Sequence, residues 1–140
     1  MAHKLCVDYP ERVRKAILLD ITLTLDMYSS ATFDMAKTYF YGFFLIQKTP
    51  FPEELVASNS RKTAEMFLAG GDKDQLEPFD QECSDYYVDR LGDKVCIYAM
   101  CQDYGASASV DLEEARQDDR LGNKIQCPLL VLWSKYGLIA

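Results

Sequence analysis

The sequence has no cluster of lysine and arginine: 15 basic residues are spread among 22 acidic ones, for a formal net charge of −7 at pH 7. A nucleic-acid surface needs a basic patch, so nucleic acid is excluded as a partner. No apolar run reaches the ~20 residues that span a bilayer, and the opening "MAHKLCVDYP" lacks the basic-then-apolar order of a signal peptide. No membrane partner is expected, and a cytoplasmic location follows by default. Histidine occurs once, as His3, and the five cysteines (Cys6, Cys83, Cys96, Cys101 and Cys127) are odd in number and scattered. The nearest pair, Cys96 and Cys101, has neither a second pair nor a nearby histidine to complete a tetrahedral site. Reduced core thiols are therefore expected, and no metal. Repeats and low-complexity runs are also absent.

What is present is ordinary for one folded domain: 140 residues, 49% apolar and 26% charged, enough to bury a core. Two segments stand out. "AILLDI" (16–21), within a run from Val13 to Ile21, and "CPLLVLW" (127–133) are continuously apolar, which fits parallel strands buried on both faces. Between them the pattern is helical. "AHKLCVDY" spaces Ala2, Leu5, Cys6 and Tyr9 for a helix that Pro10 stops. "SSATFDMAKTYFYGFFLIQK" predicts a helix from Ser29, with serine N-cap candidates and a dense apolar face including Phe33, Tyr39, Phe40, Phe43, Phe44 and Leu45. "PEELVASN" places a proline in a first helical turn, and "SRKTAEMFLAGG" ends a helix on glycine. Two further helices, "PFDQECSDYYVDRLGD" and "DKVCIYAMCQDYGASAS", are expected to join at Gly92. "DLEEARQDDRLGN" reads as a charged exposed helix or an irregular segment.

The fold class expected is α/β, with two adjacent parallel strands bracketing a mainly helical insert: core at 1–22, a helical cap at 23–124, and core again at 125–140. Two parallel strands alone do not make a stable sheet, because both edges are unpaired and both faces need covering. An internal piece of a larger α/β domain, open to self-association, is the expectation. A small, mainly helical protein with one incidental strand pair is the alternative.

The stretches "AHKLCVDYPERVRKAILLDITLTLDMY", "YFYGFFLIQKTPFPEELV", "YAMCQDYGASASVDLEEAR" and "GNKIQCPLLVLWSKYG" together resemble the haloacetate dehalogenases, cap-bearing α/β-hydrolases close to epoxide hydrolases. The likeness implies a partial α/β-hydrolase fold and a cofactor-free reaction on small 2-haloacids. An aspartate on the nucleophile elbow would attack the halogen-bearing carbon, and a histidine held by a second acid would activate water to cleave the ester. By that resemblance the nucleophile falls roughly half a dozen residues before Met1 and the histidine beyond Ala140, so neither is in this chain. Asp20, at the end of the first strand, matches the orienting acid; the competing position after the second strand offers Gly137 instead. A strand-end aspartate that only caps the following turn is the plainer reading.

In the cap, the family's halide-binding His-Trp pair falls on Tyr41 and Gly42, and a further pocket tryptophan falls on Gly71. Loss of indole donors weakens the hold on a desolvated halide. Tyr104 matches the pocket tyrosine, and the arginine that follows it in the family is Gly105 here. Tyr41 and Tyr104 could equally be core residues with satisfied hydroxyls. The resemblance thus implies a hydrolase segment inactive by itself. A shift to epoxide or ester hydrolysis stays open, as does a truncated remnant acting at most as a binding or association module.

Overall fold

The computed structural model describes residues 2–70 and 72–135, with Lys73 through its backbone alone. The positions Gly71 and Gly137, singled out above, lie outside the described residues. Backbone proximity groups the chain into two units: one from its two ends, up to Phe40 and from Ala106 onward, and a second of Tyr41–Gly105.

The first unit contains the sheet. Strands β1 (Ala16–Leu19) and β2 (Leu129–Leu132) are parallel, with Ala16 opposite Leu129 and Leu19 opposite Leu132. The ladder extends one bond at each end: Ala16 N–H donates to Pro128 O (3.0 Å) and Asp20 N–H to Leu132 O (2.8 Å). Pro128 has no N–H and stands just before β2, where only its carbonyl is used. The expected pairing is present, but β1 is shorter than the Val13–Ile21 run. Pro10–Arg12 forms a 3-10 turn before it, and Asp20 leaves the extended region at φ 48° after it.

The expectation that both strands are buried is not met among the described residues. Ile17 and Leu19 are 61% and 64% exposed, and all four residues of β2 are exposed. The reason is geometric: a four-residue strand pair has too little structure beside it here to cover either face. The first helix, α1 (Ala2–Asp8), buries Cys6 alone and leaves Leu5 and Tyr9 exposed. It is tied down by charge instead. Lys4 Nζ donates to Asp8 Oδ1 (2.8 Å) and to the buried Asp118 Oδ2 (2.9 Å), while Asn123 Nδ2 donates to Asp118 Oδ1 (2.8 Å).

The single helix predicted from Ser29 is corrected to two short ones, α3 (Phe33–Thr38) and α4 (Phe40–Leu45), preceded by α2 (Thr24–Ser29). Ser29 and Ser30 close α2 rather than opening a helix, with Ser30 Oγ donating to Asp26 O (2.6 Å). The N-cap is Thr32, whose Oγ1 accepts from Met35 N–H (3.2 Å). At the far end Thr38 Oγ1 donates to Asp34 O (2.9 Å), and Tyr39 takes a non-helical ψ of 33°.

In the second unit, α5 (Phe51–Ser58), α6 (Ser60–Ala69), α7 (Gln81–Gly92) and most of α8 (Lys94–Ser107) enclose a core of Leu45, Val56, Ala64, Leu91, Ile97 and Cys101. Caps explain where these helices begin and end. Asn59 Oδ1 accepts from Lys62 N–H (3.2 Å), Asp80 Oδ1 from Cys83 N–H (2.7 Å), and Gly70 ends α6 at φ 60°. The α7–α8 joint falls at Asp93 rather than Gly92, because Asp93 Oδ1 accepts from the N–H groups of Val95 (2.8 Å) and Cys96 (3.1 Å). "DLEEARQDDRLGN" is helical as α9 (Val110–Leu121) and closes on Gly122 at φ 69°; α9 packs against α2 in the first unit.

Candidate functional site

Asp20 follows directly on β1. Its φ of 48° is left-handed, a region that aspartate enters more readily than most residues. Two hydrogen bonds hold it there: its own N–H to Leu132 O, and Ser134 N–H donating to its Oδ1 at 3.0 Å. The carboxylate therefore ties the end of β1 to the chain just past β2, at the C-terminal end of both strands, where open parallel sheets carry their chemistry. Asp20 is exposed, and among the described residues Oδ2 has no partner. An acid held by one oxygen and open at the other can accept an imidazole N–H and fix its tautomer.

Tyr41 and Tyr104 both belong to the second unit. Tyr41 is the second residue of α4 and lies against Phe67 with ring centroids 5.1 Å apart and planes tilted by 42°. Both tyrosines are half-buried and pack on the same apolar cluster. Gly42 is buried beside Tyr41 on α4. Gly105, next to Tyr104, has nothing within 4 Å of where a Cβ would stand, so sterics do not demand glycine there. His3 lies on α1, away from Asp20 in sequence and on a separate element.

Glu53, not singled out in the sequence, is 8% exposed. Its Oε1 accepts from Thr49 Oγ1 (2.8 Å), Gln102 Nε2 reaches the same hydroxyl at 3.4 Å, and Oε2 has no partner among the described residues. Burial first, and then the nearby Glu53, push the Cys101 thiol up to about 11. The only sequence signal for this group was a proline-glutamate pair in a first helical turn, which normally marks an exposed acid.

Among the described residues no group of three or more His, Cys, Asp or Glu side chains could hold a metal. No helix among them is long and apolar enough to cross a membrane.

The architecture is part of an α/β-hydrolase fold, with parallel core strands and helices of a cap. Its relatives narrow that class. The chain is 31% identical over 137 residues to a fluoroacetate dehalogenase from Burkholderia sp., covering 98% of this chain and 44% of the relative. A protein from Nostoc sp. described as an α/β hydrolase superposes with a TM-score of 0.87 at 38% identity, over 99% of this chain and 46% of that one. A mutant of a Pseudomonas aeruginosa protein described as an epoxide hydrolase, solved with bound MFA, gives 0.84 at 26% identity, over 96% and 45%. No family model matches. The chain thus spans less than half the length of the relatives it resembles.

Proposed function

We propose that this chain supplies the middle of a cofactor-free hydrolase that cleaves the carbon–halogen bond of small 2-haloacids through an aspartyl ester. Asp20 is the acid that orients the catalytic histidine; residues 23–124 are the cap, and Tyr41 and Tyr104 line the substrate pocket. Nucleophile and histidine come from outside these 140 residues, and the chain by itself is inactive. The observation that carries this reading is the alignment of nearly the whole chain with 44% of the dehalogenase, together with an acid at the C-terminal end of β1 that leaves one oxygen open.

Chemically, the nucleophile carboxylate displaces halide from the substrate carbon, and water activated by the histidine then attacks the ester carbonyl, returning the carboxylate and releasing a 2-hydroxyacid. Asp20 stabilises the imidazolium formed as the histidine takes that proton. The tyrosine hydroxyls are the cap's remaining donors toward the departing halide.

The test is halide release from haloacetates, followed by ion-selective electrode, for this chain alone and for a polypeptide extended through an elbow aspartate and a downstream histidine. Turnover is expected only in the extended protein. Release by the chain alone, abolished in Asp20→Asn, would overturn its inactivity. An extended protein that turns over epoxides or esters, but no haloacid, would favour the second reading. That reading rests on Gly42, a buried glycine where the resembling family has an indole donor.

A further inference from the structure

Helices α6 and α7 pack together across two small residues. The stripe that α6 presents is Arg61, Ala64, Glu65 and Leu68, at i, i+3, i+4 and i+7, and that of α7 is Gln81, Ser84 and Val88. Because Ala64 and Ser84 carry so little side-chain volume, the stripes do not fill the space between them, and a cavity of about 230 Å³ remains. Leu76, from the 3-10 turn Lys73–Leu76, and Phe79 complete its apolar wall with Leu68 and Val88. That wall is held in place. Phe79 N–H donates to Leu76 O (2.9 Å), and the Phe79 ring stands at 86° to that of Tyr87 with centroids 6.5 Å apart. All these residues belong to the second unit, and neither Tyr41 nor Tyr104 lines the cavity.

We infer that this cavity binds an uncharged, single-ring alcohol of the phenol class. Size sets the first limit. A cavity of roughly 150 Å³ takes a benzene ring, so this one accommodates one ring with a short substituent and no larger skeleton. Charge sets the second. Arg61 Nη2 donates to Asp85 Oδ1 (2.8 Å), to which Gln81 Nε2 also donates (3.0 Å), and Lys62 Nζ reaches Glu65 Oε2 at 3.5 Å. Each charge at the wall thus has its counter-ion, and a charged ligand would give up hydration without gaining an unopposed partner. The remaining polar groups ask for a hydroxyl. Ser84 Oγ makes no hydrogen bond among the described residues and can donate to the ligand oxygen, while Glu65 Oε1, also unpaired among them, can accept the ligand O–H. Phe79 gives the ring an aromatic neighbour, and Leu68, Leu76 and Val88 cover its apolar edges.

The test is saturation-transfer difference NMR on the full chain with p-cresol as the probe, a measurement that reads binding whatever the chain's state of association. The expected result is saturable binding with a Kd on the order of 1 mM. Ser84→Leu and Val88→Phe each fill the cavity from α7 and should abolish that binding while helical circular dichroism is kept. Ser84→Ala keeps the space but removes the hydroxyl, so p-cresol should bind roughly fivefold more weakly and toluene equally well. The proposal is overturned if p-cresol does not saturate, if the filled variants fold and still bind it, if Ser84→Ala leaves its affinity unchanged, or if benzoate or benzylamine binds as tightly.

Discussion

The Asp20 carboxylate accepts the backbone N–H of Ser134 at 3.0 Å, joining two segments that are 114 positions apart in sequence. One side chain thus sets the geometry where the two strands end, whatever further role it has. Structure and catalysis separate by substitution. Asp20→Asn keeps an acceptor for Ser134 and the tolerance for positive φ, so stability should change by less than ~0.5 kcal/mol in urea unfolding. In the extended hydrolase the same change should lower kcat by roughly 10³–10⁴-fold, because an amide cannot stabilise an imidazolium. Asp20→Ala should cost about 1–2 kcal/mol as well, through the lost bond and the strained backbone. Full activity in Asp20→Asn would leave Asp20 as a turn residue only.

The Lys4–Asp118–Asn123 network predicts a pH dependence. Asn123 donation, then Lys4 donation, holds the Asp118 carboxyl below its ordinary 3.8. A lowered carboxyl stabilises the fold fully above about pH 4 and loses that contribution as pH falls through the folded value. Asp8, then Asp118, raises the Lys4 ammonium above its ordinary 10.5, so its contribution is complete below that pH and fades only above it. Asp118→Asn should flatten the acid limb of a melting-temperature profile. Asp118→Ala should cost about 2 kcal/mol at neutral pH, since it leaves Asn123 without its acceptor and Lys4 with Asp8 alone.

The parallel pairing was legible because "AILLDI" and "CPLLVLW" are continuous apolar runs, a signal that survives without neighbours. The break between α3 and α4 was not, because an aromatic stripe through Phe33, Tyr39 and Phe40 keeps helical spacing across it. The capping bond of Thr32 and the non-helical ψ of Tyr39 decide the matter instead. Asp20 could be matched to a role by family likeness, yet its left-handed backbone and its bond to Ser134 depend on a contact between distant segments. Glu53 read as an ordinary first-turn acid because its burial comes from packing in the second unit, beside Cys101, which no local pattern encodes.

Gly105 offers a stability gain. It lies within α8, its added Cβ would meet nothing within 4 Å, and its φ is not positive. Gly105→Ala should stabilise the chain by about 0.5–1 kcal/mol by removing backbone freedom from the unfolded state. In the extended hydrolase, Gly105→Arg restores the arginine that follows the pocket tyrosine in the resembling family and should raise halide release. A melting temperature that falls in Gly105→Ala would show that glycine is required there.

Glu53 sits in an interior that gives one of its oxygens no donor. Glu53→Gln should be neutral or stabilising by about 1 kcal/mol, and Thr49→Val destabilising by about 1–3 kcal/mol, because it strips the acid of its hydroxyl donor. Cys101 titrates with the same surroundings. A thiol raised from 9.0 to about 11 favours the folded state fully below pH 9 and less as pH climbs toward 11. Cys101 should therefore stay unlabelled by iodoacetamide at pH 8 until the chain unfolds, while the half-buried Cys83 and Cys96 react first.

The open strands set the behaviour of the chain in isolation. Ile17 and Leu19 on β1 and Leu129–Leu132 on β2 expose apolar side chains beside unpaired edges, the arrangement that recruits further strands. The 140 residues alone should elute from size exclusion as concentration-dependent oligomers, and light scattering should give masses above the 16.0 kDa of one chain. Replacing Ile17 and Leu19 with lysine puts charge on that surface and should shift the population toward monomer without loss of helical circular dichroism, since neither residue belongs to the core of the second unit. In the extended hydrolase the same two lysines should instead destabilise the protein, because there the strands would be covered. A sharply melting monomer of the unaltered chain would contradict both expectations and show that a four-residue parallel pair can stand uncovered.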